Sequence, residues 1–377
     1  MKILYVGADA LVCGAGYSMI KLIEELKANG CDVVPVVRQG NSEQVLTEKN
    51  ISHYIVNAQS WTLSNSYSPP KRIVIGIVKY LMNIKCYFQY LKIIQKEKPD
   101  IIHINALTTY PIAQAAVKTK TPFVWHIREM LEEDFNISFW NKRFAYSLMK
   151  KATYFIAISK CVESKYQKIV GNKIRCIYNG VDRQQFYNAE HEIFKNNSII
   201  ITMAGRINEN KGQRRCLIDL IPLLNNNPNI ILQFAGTGEE CKIQELKEIC
   251  QKNHLLDSQV RFLGFVKDMG KLWSETDISI VYSKCEAFGR VTVEAKMAGA
   301  LVVGYKSGGT IELIEDGKTG YLFDDHIVSL GDAVTKALTD KHKSIRMAME
   351  GRNQVESMFT SKRNAAEVIK LYKEILM

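Results

Sequence analysis

The sequence predicts an α/β chain of two domains, each a doubly wound, parallel sheet with helices on both faces. Three observations predict it. The chain has 377 residues, too many for one ordinary hydrophobic core. Short, β-branched apolar runs alternate with helical periods along the whole length, as strand–helix–strand crossovers require. The runs are nearly continuous in apolar residues, as in strands covered on both faces. With 46% hydrophobic and 24% charged residues, the composition is that of a globular protein and excludes collagen-like or disordered classes.

In the first half the expected strands are Lys2–Val6, Asp32–Val37, Ile51–Val56, Asp100–Asn105, Pro122–Ile127, Tyr154–Ser159 and Ile174–Tyr178. Ala15 to Asn29 has helical spacing and stops at Gly30. In the second half the strands are Ser198–Met203, Ile230–Ala235, Val260–Leu263, Ile278–Tyr282 and Leu301–Tyr305. Helices are expected at Gly212–Leu224, Glu239–Lys252, Arg290–Ala298 and His326–Thr339. The polar stretch Asn188–Asn197 reads as a linker, which gives an N-terminal domain over 1–190 and a C-terminal domain over 191–360. Residues 361–377 form a last helix, a candidate for crossing back onto the first domain.

The N-terminal run Met1 to Gly7 is a strand entering a glycine loop, too short for a signal-peptide core. No run approaches the ~18 apolar residues of a membrane span, and the longest candidate, Ile73 to Val78, ends at Lys79. Nine cysteines, Cys13 among them, are irregularly spaced without a Cys-x-x-Cys, against a disulfide framework or a zinc ribbon. They fit a cytoplasmic protein. The net charge of +11 lies in residues 1–180, with 24 Lys+Arg against 13 Asp+Glu, whereas residues 181–377 balance at 26 against 26. The first half is thus the one that suits an anionic partner, the alternative being charge for solubility.

Open parallel sheets bind ligands beyond the carboxyl ends of their strands, often against a helix N-terminus. In "YSKCEAFGRVTVEAKMAGALVVG", residues 282–304, a strand ends near Tyr282, a loop carries Glu286, Phe288 and Gly289, and a helix opens at Arg290. That helix start can hold a diphosphate, and Gly289 lets backbone approach a ligand closely. Glu286 can accept from sugar hydroxyls, and Glu294 from both hydroxyls of a ribose. In "ITMAGRINENKGQ", residues 201–213, a strand runs into Gly205, Arg206 and Lys211, two cations suited to a diphosphate and to leaving-group charge. Taken singly, these are also the marks of surface charge. Gly14-Ala15-Gly16 lacks a third glycine at dinucleotide spacing, and no His, Cys or carboxylate cluster has metal-ligand spacing.

The ordered set resembles the GT-B glycosyltransferases of the large retaining family 4. Glu286 to Glu294 is similar to that family's E-x7-E signature, and "AGRINENKG" to its Arg…Lys donor motif. "YNGVDRQQF" (178–186), "SGGTIELIEDGKTGYLF" (307–323), "GAG" (14–16) and "WHIRE" (125–129) follow in family order. Ala287, Arg290 and Lys296 depart from the pattern. The resemblance implies two Rossmann-like domains facing each other across a cleft, a nucleoside-diphosphate sugar as donor and no metal or other cofactor in the site. It further implies that Arg206 and Lys211 bind the diphosphate and stabilise the departing nucleotide. Backbone amides from Phe288 through Gly289 and Arg290 to Val291, with Gly16 of the opposite domain, touch phosphates or sugar. Glu286 holds the transferred sugar, Glu294 the ribose, and His126 sits beside the sugar. The base lies near Gly264 to Asp268.

The acceptor implied is a glycan or a lipid-linked glycan in cell-surface polysaccharide assembly. Between Ile73 and Glu97, Lys85, Gln89, Lys92 and Lys96 share one helical face, while Ile77, Leu81, Ile84, Phe88 and Leu91 share another. That pattern fits a helix packed on its own sheet, or one docked on an anionic membrane surface. Two rivals stand beside the transferase: a GT-B epimerase or hydrolase that releases free sugar, and a basic nucleic-acid-binding protein. The second lacks any recognised binding motif, so nucleic acid is not an expected partner.

Overall fold

The computed structural model describes residues 1–7 and 14–377. The chain divides into two compact units, Met1–Gly180 with Ser361–Met377, and Val181–Thr360.

The first unit has strands β1 (Lys2–Gly7), β2 (Asp32–Val37), β3 (Tyr54–Ile55), β4 (Thr62–Ser64), β5 (Ile101–Asn105), β6 (Phe123–Ile127), β7 (Ile137–Phe139), β8 (Tyr154–Ala157) and β9 (Ile174–Cys176). Its helices are α1 (Gly14–Ala28), α2 (Asn41–Glu48), α3 (Pro69–Glu97), α4 (Pro111–Thr119), α5 (Leu131–Phe135), α6 (Lys142–Met149) and α7 (Lys160–Val170). The second unit has α8 (Arg183–Phe186), β10 (Ile199–Ala204), α9 (Gln213–Asn226), β11 (Ile230–Ala235), α10 (Glu240–Lys252), β12 (Val260–Gly264), α11 (Met269–Ser274) and β13 (Ile278–Val281). It continues through α12 (Arg290–Ala298), β14 (Leu301–Tyr305), α13 (Thr310–Leu313), β15 (Tyr321–Phe323), α14 (Leu330–Thr339) and α15 (Lys341–Met358). The final helix, α16 (Ser361–Leu376), belongs to the first unit.

Both main sheets are parallel and Rossmann-like. Their strand orders are β3-β2-β1-β5-β6-β8-β9 and β12-β11-β10-β13-β14-β15, with β4 and β7 a separate antiparallel pair. The chain reverses its direction of progress between β1 and β5 and again between β10 and β13. Each reversal opens a crevice at the strand ends, and it brings loops far apart in sequence side by side.

Helix α16 closes the first unit's core. Ala365, Val368, Leu371 and Tyr372 are buried with Met19, Ile23 and Leu26 of α1. Each large apolar side chain so buried contributes about 1.5–3 kcal/mol. Polar ties fix the register: Ser361 Oγ donates to Glu25 Oε1 at 3.0 Å, and Asn364 Nδ2 to the Tyr178 carbonyl at 2.7 Å.

The units divide at Gly180, ten residues before the expected 190/191 boundary. Asn188–Asn197 is no free linker. Ile193 lies in the second unit's core, and the Asp277 carboxylate accepts from Phe194 N at 2.5 Å and Ile200 N at 2.7 Å. The helix expected from His326 starts at Leu330, because Asp324 Oδ1 first takes the N–H groups of His326 and Ile327 in a turn. Ser329 and Asp332 then form a capping box. The expected strand Ile51–Val56 is reduced to β3, a two-residue edge strand whose brevity suits an unpaired edge.

Candidate active site

Loops after β10 and β13 meet because these strands are neighbours at the switch point. The loop after β10 is preset by its own side chains. Gln213, 1% exposed, donates to the Arg206 carbonyl at 3.1 Å and accepts from Asn208 N at 3.3 Å. Asn208 Oδ1 accepts from Lys211 N at 2.9 Å. Gly212 has φ 81° and lies so close to Tyr282 that a Cβ would sit 2.9 Å from its carbonyl oxygen, so glycine is required there. The loop therefore projects Arg206 and Lys211 from a fixed backbone. Arg206 is exposed, and its guanidinium has no partner among the described residues.

Lys211 Nζ meets Glu286 Oε2 at 2.7 Å across 75 residues of sequence. The backbone under Glu286 is held by Ser307–Gly309: Gly309 N donates to the Glu286 carbonyl at 2.7 Å, and a Cβ on Gly309 would lie 2.8 Å from the Phe288 carbonyl. Gly289, with φ 97°, then turns the chain into α12. Phe288 and Gly289 are buried, while Arg290 and Val291 are partly exposed. The first-turn N–H groups and positive dipole of α12 suit an anion.

One turn on, Glu294 is 5% exposed. Burial pushes its carboxyl pKa up, while Arg290 Nε at 2.5 Å and the Trp273 indole N–H at 3.4 Å hold the charged form. The departures Arg290 and Lys296 both have structural partners. Buried Lys296 donates to the Leu313 carbonyl, to Thr319 Oγ1 at 3.0 Å and to Gln354 Oε1 at 2.8 Å. It thereby ties α12 to α13, to the following turn and to α15. Trp273, on the short helix α11, was not legible as a site residue, since nothing in its local sequence marks a partner 21 positions later. The loop after β12, suggested for the base, exposes Phe265. The second unit thus pairs Lys211 with Glu286 and Arg290 with Glu294, and carries Arg206 on the loop after β10 and Phe288, Gly289 and Val291 at the start of α12.

Gly16 and His126 belong to the first unit. Gly16 is buried in the first turn of α1, and the loop before it, with Cys13, lies outside the described residues. His126 is fully buried at the end of β6. Its Nδ1 lies 3.1 Å from His103 Nε2 and 3.4 Å from Arg128 Nη2. A guanidinium only donates, so His126 Nδ1 is the acceptor and its proton sits on Nε2. His103 then donates from Nε2 and accepts at Nδ1 from the Tyr372 hydroxyl, 2.5 Å away. The relay runs Tyr372, His103, His126, and it ends on a buried Nε2–H with no partner among the described residues. Burial and the Arg128 charge hold both rings well below the usual histidine pKa, so they stay neutral.

Arg128 forms no local ion pair with Glu129. Its guanidinium goes to Asn105 Oδ1 at 2.5 Å and Asn179 Oδ1 at 2.6 Å, while the Glu129 carboxylate takes the N–H groups of Leu107 and Arg128. His103 and Asn105 were missed, although their alternation along "IIHIN" puts two polar residues on one face of a buried strand. Among the described residues no cluster of three metal-ligating side chains occurs.

Comparison with known proteins agrees with this architecture. The family model "Glycosyltransferase Family 4" matches residues 12–185, and "Glycosyl transferases group 1" matches 185–354. The capsular polysaccharide biosynthesis glycosyltransferase CapM of Staphylococcus aureus is 23% identical over 373 residues, 91% of this chain and 94% of CapM. The UDP-Gal:alpha-D-GlcNAc-diphosphoundecaprenol alpha-1,3-galactosyltransferase of Escherichia coli is 23% identical, with 80% of this chain and 82% of that protein matched. Three other curated relatives are matched over 36% to 59% of their own lengths. Among solved structures, HepE of Anabaena in complex with UDP and glucose superposes with a TM-score of 0.80 at 21% identity, covering 99% of both chains. Two family models that meet at residue 185 and a GT-B likeness over the full length lead to one conclusion: the chain belongs to the glycosyltransferases, family 4 in its first half and group 1 in its second, and is a transferase enzyme.

Proposed function

We propose that this glycosyltransferase moves a sugar from a nucleoside-diphosphate sugar, UDP being the first candidate nucleotide, to a glycan or lipid-linked glycan, with retention of configuration. The observation that carries this reading is the Lys211–Glu286 pair, 2.7 Å apart where β10 and β13 end side by side. It joins a cation for the diphosphate to a carboxylate for sugar hydroxyls, and a bound donor would take over both partners. Arg206 adds the second cation, the amides from Phe288 to Val291 meet phosphate, and Glu294 takes the ribose. By the family resemblance, His126 and Gly16 of the first unit are assigned to the transferred sugar. The HepE structures with UDP and with UDP-glucose support the choice of nucleotide. The names of CapM and of the diphosphoundecaprenol-dependent enzyme support polysaccharide assembly and a lipid-linked acceptor.

In the reaction, the acceptor oxygen bonds to the anomeric carbon as the bond to the leaving phosphate breaks. The acceptor's proton passes to the departing phosphate oxygen on the same face. Catalysis then rests on positioning and on charge stabilisation by Arg206 and Lys211, with no metal required. The enzyme works in the cytoplasm.

The test is a set of turnovers with UDP-glucose, UDP-galactose and UDP-N-acetylglucosamine, with and without undecaprenyl-diphosphate-linked sugar. UDP release that needs the acceptor, with an α-linked product by NMR, is the expected result. Free sugar from donor alone would mark a hydrolase or epimerase, and a β-linked product would mark an inverting enzyme.

A further inference from the structure

Helix α3 is amphipathic in the reverse of the usual sense. Its inner face carries Gly76, Asn83, Cys86 and Tyr90, all buried. Asn83 clamps the preceding loop, accepting from Gln59 N at 2.7 Å and donating to the Gln59 carbonyl at 2.9 Å. Gly76 lies against the Trp140 ring, where any Cβ would clash. Tyr90, Ile93 and Ile94 toward the C-terminal end are buried, but from Ile73 to Phe88 most large aliphatic and aromatic residues point outward. Val74 is 61% exposed, Leu81 58% and Phe88 56%, with Ile73, Ile77 and Ile84 also exposed between and beside them. These residues form a continuous stripe about 24 Å long at 1.5 Å per residue. Such a stripe on a charged protein marks a contact surface.

The charges identify what covers it. From Pro69 to Lys96 the helix has no Asp or Glu, while Lys71, Lys85, Lys92 and Lys96, all exposed, follow one rim of the stripe. A second copy of this chain would bring the same uncompensated lysines together around a twofold axis, which like-charge repulsion opposes. An anionic bilayer offers both an apolar interior for the stripe and negative headgroups for the rim. No helix among the described residues is long and apolar enough to cross a membrane, so α3 would lie along the surface rather than span it.

We propose that α3 is a membrane-docking helix: Ile73, Ile77, Leu81, Ile84 and Phe88 enter the headgroup–acyl boundary of an anionic leaflet while Lys85 and Lys92 engage its headgroups. This goes beyond the transferase reading and is independent of it, because docking is measured without donor or acceptor.

The experiment is flotation of the full-length protein with vesicles of phosphatidylcholine containing phosphatidylglycerol, and with phosphatidylcholine alone. The wild type is expected to float with the anionic vesicles and to stay behind with the neutral ones. Two double variants, Leu81→Glu/Phe88→Glu and Lys85→Glu/Lys92→Glu, are each expected to bind more than about tenfold more weakly. All four positions are exposed, so unchanged thermal melts serve as the folding control. Wild type left unbound by anionic vesicles, or both variants binding as wild type does, would overturn the proposal. So would a concentration-dependent dimer that Leu81→Glu/Phe88→Glu abolishes in the absence of vesicle binding, since the stripe would then be covered by a second copy.

Discussion

Lys211→Ala is expected to lower kcat by about 10²- to 10³-fold, the usual loss when one preorganised group facing developing charge is removed. Its effect on folding should be far smaller. The Lys211–Glu286 pair is partly open to solvent, with side-chain exposures of 35% and 15%, and such a pair is worth about 1 kcal/mol or less. The two magnitudes separate a catalytic role from a structural one. Steady-state kinetics and a thermal melt on the same preparation check it, and near-normal turnover in a folded variant would remove Lys211 from the chemistry.

The second large effect is on stability. Lys296→Met keeps most of the buried volume but removes the amino group shared by the Leu313 carbonyl, Thr319 Oγ1 and Gln354 Oε1. Leaving buried acceptors unpaired costs about 1–3 kcal/mol each time it happens, so the variant is expected to melt several degrees lower. The pH dependence gives a sharper signature. Burial pushes the Lys296 ammonium down to about 7 from its ordinary 10.5. Between those values the unfolded chain holds the proton and the folded chain does not, so stability rises with pH across the window. The gap in melting temperature between wild type and Lys296→Met should therefore widen from pH 7 toward pH 10. A constant gap would mean that Lys296 keeps its charge throughout.

Much of this was legible in the sequence. The alternation of short apolar runs with helical periods foretold two parallel sheets, and glycines at the strand ends marked the loops that carry chemistry. What periodicity cannot report is which face of an element meets which neighbour. Helix α3 makes the point. The spacing of Ile77, Leu81, Ile84 and Phe88 was plain, but a period does not say whether the apolar stripe turns inward, and here Asn83 and Tyr90 hold the core side. Asn188–Asn197 failed as a linker for a related reason: its polar composition conceals a backbone donor, Phe194 N, that a buried Asp277 satisfies from 83 residues away.

The candidate site groups divide in the same manner. Glu286, Glu294, Arg206 and Lys211 could be picked out because each stands next to a strand end or a helix start. Trp273, His103 and Tyr372 could not, since each joins the candidate groups through a contact made only by the folded chain. The relay from Tyr372 to His126 joins the last helix to the middle of the first sheet, a separation of 269 residues at its first step.

The central claim, a nucleotide-sugar site on the second unit, is tested most directly by the melting temperature of the full-length protein with UDP, GDP or ADP. A ligand at about 100 times its Kd stabilises the folded state by about 2.7 kcal/mol, enough for a shift of several degrees. The donor site predicts such a shift with one nucleoside diphosphate, UDP first, and its loss in Glu294→Ala measured against that variant's own ligand-free melt. No shift with any of the three, or a full shift retained in Glu294→Ala, would contradict it.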